Sequence, residues 1–175
     1  MKNVTCPSCG FVNSVFCLRT GYSCSQCGHL WMDKVPDYNI IPSLLTPSQT
    51  GLFEAGKIFE GAHVCESEQS AVLMEMATRH SQYQADHRQQ GHQLWDKRVK
   101  ELFKTLGQYT YSEIAAESWP EQAEASMLEL GTEMYNCWRK SSGHWSVASK
   151  KHKYMGGDMK MGKDNIWYAT IIVGD

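Results

Sequence analysis

Cys6-Pro-Ser-Cys9-Gly10 and Cys24-Ser-Gln-Cys27-Gly28 are two copies of one chemical device. A two-residue spacer lets both thiolates of a pair point at one ion, and the glycine that follows permits a tight turn. Fourteen residues separate the pairs, enough for a hairpin that brings the second pair back to the first. Four thiolates close a tetrahedron and leave no open position, so the expected role is structural, with one zinc per chain held by Cys6, Cys9, Cys24 and Cys27. Zinc is the commoner occupant of such a set, and iron accepts the same ligands. Cys17, Cys65 and Cys137 lack paired spacing and are expected to be packed thiols.

The cysteine module, residues 1–33, resembles a zinc ribbon. Zinc ribbons often touch nucleic acid, and the charges here oppose that reading. Lys2, Arg19 and Lys34 stand against Asp33 alone, and a tetrathiolate zinc centre of charge about −2 cancels the excess. A neutral module lacks the phosphate-neutralising charge that dominates nucleic-acid affinity. A protein-docking ribbon is therefore preferred, with a nucleic-acid-associated protein as the alternative.

The elements that follow must position any second site. Residues 34–45 contain Pro36 and Pro42 and read as a linker, and 46–175 form the larger domain. Four helices are expected there. The first opens at the capping box Thr46-Pro47-Ser48-Gln49, with Leu52, Phe59 and Ala62 inward. A second spans about Glu68 to Arg88 and places Leu73, Met76, Ala77 and His80 on one stripe. A third runs from about Gln93 to the stop at Gly107, with Trp95, Val99, Leu102, Phe103 and Leu106 inward. The fourth is expected to open at Ser118-Trp119-Pro120-Glu121 and to bury Met127, Leu130, Gly131, Met134 and Trp138. The tail changes period: Tyr154–Met161 and Ile166–Val173 read as strands joined by Gly162-Lys163-Asp164-Asn165.

Several stretches of this domain, in order, are similar to motifs of the CAP superfamily, the cysteine-rich secretory, antigen 5 and pathogenesis-related proteins. Trp138-Arg-Lys-Ser141-Ser-Gly143-His144 resembles its W-x-x-S-x-G-H signature, and Ala77-Thr-Arg-His80-Ser81 with Ala85 resembles its helix motif. Gly91-His92 with Arg98 downstream, Glu113-Ile-Ala-Ala116, Tyr154–Gly157 and Trp167-Tyr168 complete the pattern, closest to the short bacterial branch. The resemblance implies an α+β fold, an α-β-α sandwich, with a cleft in which His92, Glu113 and His144 converge. Two imidazoles and a carboxylate can ligate a divalent metal, a second one beside the structural zinc, or polarise a water. Many eukaryotic members carry a second glutamate where this chain has Ser141, which turns the expectation away from an enzyme.

The charge of −2 over 175 residues, 42% of them hydrophobic, fits a soluble globular protein. No apolar run approaches the roughly 20 residues of a membrane span, and Met1–Cys6 lacks the apolar core of a secretory signal. The expected location is the cytoplasm or an intracellularly assembled particle such as a bacteriophage virion. Charge is uneven: six glutamates between 113 and 133 meet no lysine or arginine, and a basic tail follows. These features predict a non-enzymatic binding or structural module whose partner is a protein. The alternative is a metal-dependent hydrolase or peptidase using His92, Glu113 and His144.

Overall fold

The computed structural model describes residues 2–5, 12–15, 22–23, 30–31, 45–107, 109–122 and 124–175. The chain divides into two compact units, Met1–Pro36 and Asp37–Asp175. In the first, β1 (Lys2–Thr5) pairs antiparallel with β2 (Val12–Val15), and β3 (Tyr22–Ser23) pairs antiparallel with β4 (Leu30–Trp31). The four paired cysteines, Cys17 and His29 lie outside the described residues.

The second unit is mixed α+β. Its described elements are α1 (Pro47–Ile58), β5 (Glu68–Gln69), α2 (Ala71–His87), α3 (Trp95–Leu106), β6 (Tyr111–Glu117), α4 (Met127–Arg139), α5 (Ser142–Ala148), β7 (Tyr154–Met161) and β8 (Trp167–Gly174). The sheet has the order β5-β7-β8-β6, with β5 parallel to β7 and the other pairs antiparallel. Side chains alternate along β8 as strand geometry requires. Ala169, Ile171 and Val173 join a cluster with Leu52, Phe53, Leu130 and Trp138, while Ile172 joins Leu73, Met76, Ala77 and Leu102. A buried carboxylate ties three elements together: Asp158 of β7 accepts from Ser48 at 2.7 Å and Thr78 at 2.8 Å, and pairs with Lys160 at 2.9 Å.

Two close approaches depend on glycine. A Cβ on Gly131 of α4 would meet the Gly51 carbonyl of α1 at 2.6 Å, and one on Gly156 of β7 would meet the Met74 amide of α2 at 2.1 Å. Neither neighbour is a flexible side-chain end, so both contacts require the missing Cβ.

The capping box at Thr46 forms as expected: its hydroxyl receives the Gln49 amide and the Gln49 side chain returns to the Thr46 amide. The one expected at Ser118 does not open the fourth helix. The Ser118 hydroxyl instead accepts the Trp167 amide at 3.0 Å, and the Ser118 amide donates to the Trp167 carbonyl. Ser118 thus continues the β6–β8 ladder, Pro120–Gln122 forms a single 3-10 turn, and α4 starts later, at a capping box of Ser126 and Glu129. The second helix begins at Ala71 because Glu68–Gln69 is drawn into pairing with β7. The third begins at Trp95 behind left-handed Leu94, and of its expected inward face only Leu102 is fully buried; Phe103 is exposed and packs on the Tyr111 ring. A fifth helix, α5, adds to the four expected.

Candidate functional site

The site is assembled from three connections around the buried end of α2. Gln84 and His80 lie one helical turn apart on its inner face, and both hold the segment that follows. The Gln84 Oε1 receives the Gly91 amide at 2.9 Å, and His80 Nε2 donates to the Gly91 carbonyl at 2.8 Å. Gly91 itself has φ of 147°, in the region that favours glycine. This clamp sets the position of His92.

Glu113, on β6, has a side chain only 1% exposed and is met by Arg98, by His92 and, at 3.6 Å, by His80 Nε2. Arg98 of α3 forks onto it, one Nη reaching Oε2 and the other reaching Oε1 at 2.9 Å. His92 Nδ1 donates to Oε1 at 2.9 Å. Arg98 is held in turn by the Gln93 carbonyl, at 3.0 and 3.2 Å, and stacks over the Trp95 ring. Burial would raise the Glu113 carboxyl, but the hydrogen bonds from Arg98 and His92 outweigh it and hold the group below its usual range.

His144 enters from the first turn of α5, where Ser141 is the N-cap and accepts the His144 amide. That is the position at which the CAP resemblance would place a second glutamate; here it starts the helix. The Nε2 atoms of His144 and His92 lie 3.4 Å apart. Burial, and then the neighbouring His92, push the His144 imidazole below its ordinary value and favour its neutral form. The structure thus brings His92, Glu113 and His144 together in sequence: carboxylate behind His92, His92 facing His144.

Two nitrogens bound to one tetrahedral metal at about 2.0–2.1 Å lie about 3.3 Å from each other, close to the separation here, but the ring centroids, 5.7 Å apart, set the two Nε2 atoms head-on as in a hydrogen bond, so a divalent cation enters the pair only when the rings turn towards it. A carboxylate on the far nitrogen of a ligating histidine is the usual support for such a pair. Glu113 provides that support and is not free to ligate, because both its oxygens are engaged. Among the described residues no group of three or more His, Cys, Asp or Glu side chains is arranged to hold a metal. Water, a ligand or a partner must complete any coordination sphere at the pair.

Beside His144 opens a cavity of about 230 Å³ walled by β6, α4, Gln90 and Trp119. Sequence reasoning noted Arg98 only as part of a motif and gave no role to Gln84 or Gln90; the signal was polar Gln84 on a stripe otherwise apolar apart from His80. Of the unpaired cysteines, the Cys65 thiol meets the buried Tyr135 hydroxyl at 3.1 Å and is pushed up to about 11 by burial. Cys137 is half-buried on the cavity wall. Neither thiol is activated. His63, His87 and His152 bond to Glu66, to the Tyr83 carbonyl and to Asp175, away from the pair.

The buried groups give stability a pH dependence. Burial lowers the His80 imidazole against the opposing pull of Glu113, and Glu113 is also lowered. Each binds its proton more readily in the unfolded chain, so stability rises with pH. The His80 share is complete above the unfolded value of 6.5 and is lost as pH falls below it; the Glu113 share goes below 4.5. The melting temperature should fall from pH 7.5 to 5.5, and His80→Gln should flatten that slope. A slope identical in the variant would refute the assignment.

No family model matches this chain, and no curated protein matches it. Its structure is similar to that of an outer surface protein from Borrelia burgdorferi, with a TM-score of 0.51 over 82% of this chain and 96% of that one. At 19% identity the two share a fold, and the likeness extends no further.

Proposed function

We propose that this chain is a non-enzymatic binding module of a multiprotein assembly. Residues 1–33 are its zinc ribbon and dock to a protein partner. The CAP-like domain, an α-β-α sandwich, presents a recognition cleft at His92 and His144 that takes a divalent cation weakly. The observation that carries this reading is the Arg98 fork on Glu113. A carboxylate held ionised by a guanidinium and a histidine is a poor general base, and no activated nucleophile lies beside it. What supports cation binding is the 3.4 Å separation of two Nε2 atoms with a carboxylate behind one of them.

The same imidazole pair favours one second reading, a metal-dependent hydrolase, since a cation there keeps open positions for water. Cobalt titration of the purified full chain separates the two. The expected result is a weak site, seen by paramagnetic shifts of the His92 and His144 ring protons and lost in His92→Ala and His144→Ala, with peptide and ester hydrolysis at the buffer rate. Reproducible hydrolysis lost in both variants would establish the enzyme instead.

A further inference from the structure

The cavity beside His144 combines an open sheet edge, an exposed indole and an acidic rim. The strand order leaves β6 at the edge of the sheet. Thr110 and Asp175 exchange both backbone hydrogen bonds. In an antiparallel ladder such pairs alternate, so Ser112, Ile114 and Ala116 bond to β8 while Glu113, Ala115 and Glu117 turn their amides and carbonyls the other way. Two contacts agree with that direction: the Ala115 carbonyl accepts Gln90 Nε2 at 3.1 Å, and the Glu117 carbonyl lies 3.9 Å from the Cys137 thiol. The outward amides of Ala115 and Glu117 have no partner among the described residues.

Trp138, on the facing wall, is wholly buried, and its indole Nε1 has no hydrogen-bond partner among the described residues. Acidic groups outnumber basic ones around the cavity: Glu133 and Glu117 act on Cys137 of its wall against Lys140. Glu117 lines the cavity, Asp164 lies close enough to raise the Glu117 carboxyl together with burial, and the stretch from 113 to 133 contains no lysine or arginine. Trp119, 60% exposed, offers an open indole face on the same rim.

We propose that this cavity binds an extended peptide segment of a partner protein, paired along the β6 edge, with a lysine or arginine side chain laid on Trp119 and directed at Glu117 and Asp164. Main-chain pairing supplies affinity in such strand addition, and the side-chain contacts supply selection. Gln90 stands on the Ala115 carbonyl where an amide of the added strand belongs, and yields that place to it. This inference rests on the recognition-cleft reading and gives its partner a chemistry.

The test uses the full chain and two capped alanine pentapeptides, one with a central lysine and one with a central glutamate. Binding is followed by tryptophan fluorescence and by amide shifts of Ala115 and Glu117. The lysine peptide should bind and shift both amides, and the glutamate peptide should not. Glu117→Gln, an exposed substitution that leaves the core alone, should weaken the lysine peptide about fivefold, and Trp119→Ala by a similar factor. Equal binding of the two peptides, no binding at millimolar peptide, or indifference to Glu117→Gln would overturn the proposal. Lysine-peptide binding without any cation site would refute only the cation reading, and the reverse outcome only the peptide.

Discussion

Arg98→Ala should destabilise the larger unit by about 3–5 kcal/mol, the cost of leaving a buried charge without its partner. The Glu113 side chain is 1% exposed and that of Arg98 is 11% exposed, so water does little to screen the loss. His92 remains on one oxygen, but it supplies a single hydrogen bond in place of the fork. The variant also frees the Gln93 carbonyl, which Arg98 holds through two nitrogens, and with it the turn that leads into α3. Urea unfolding followed by circular dichroism reads the loss directly. The double variant Arg98→Met, Glu113→Leu should recover most of it, because replacing both charges removes the desolvation cost along with the attraction. A single-variant loss below about 1 kcal/mol would mean that the pair behaves as an exposed salt bridge. The cation site should vanish in the double variant even where stability returns, since His92 would lose the carboxylate that orients it.

What was legible in the sequence follows the range of the interactions. The α2 stripe of Leu73, Met76, Ala77 and His80 is buried as its spacing predicts, because period alone fixes a helix face. The capping boxes show where local reading stops. Thr46-x-x-Gln49 and Ser118-x-x-Glu121 look alike, yet Trp167, some fifty residues away in the chain, takes the Ser118 hydroxyl for the sheet. On α3 the apolar period is genuine, but only Leu102 finds a fully covering surface; Phe103 meets Tyr111 at the margin. The meeting of His92, Glu113 and His144 was reached through the motif resemblance, not through spacing, since the residues come from a loop, a strand and a helix. Arg98 was invisible as a partner for the same reason: fifteen residues from Glu113, it has no periodic relation to it. Ser141 was legible only as a position without a carboxylate, and the N-cap it provides for α5 was not.

Zinc removal should have a larger effect than any substitution in the second unit, and it should be confined to the first. The described strands of Met1–Pro36 are short, four residues each in β1 and β2 and two each in β3 and β4. Isolated two-stranded ladders are marginal in water, and a unit of this size cannot bury enough apolar surface to fold unaided. Each cysteine pair lies in the chain between two strands that pair with each other, Cys6 and Cys9 after β1, Cys24 and Cys27 after β3. One ion bound to all four would therefore close both ladders at once. Apparent binding energies for structural zinc are about 10–16 kcal/mol, and in such modules binding is folding. We expect one zinc per chain by elemental analysis, with no visible absorption, which distinguishes it from an iron tetrathiolate. Cys9→Ser or Cys24→Ser should abolish that zinc and collapse the amide dispersion of residues 1–33. The melting of the second unit should stay where it was, because both of its buried clusters draw on residues from 45 onward. An ordered first unit in a metal-free chain would refute the tetrathiolate, and a matching fall in the second unit's melting temperature would show that its stability depends on the first.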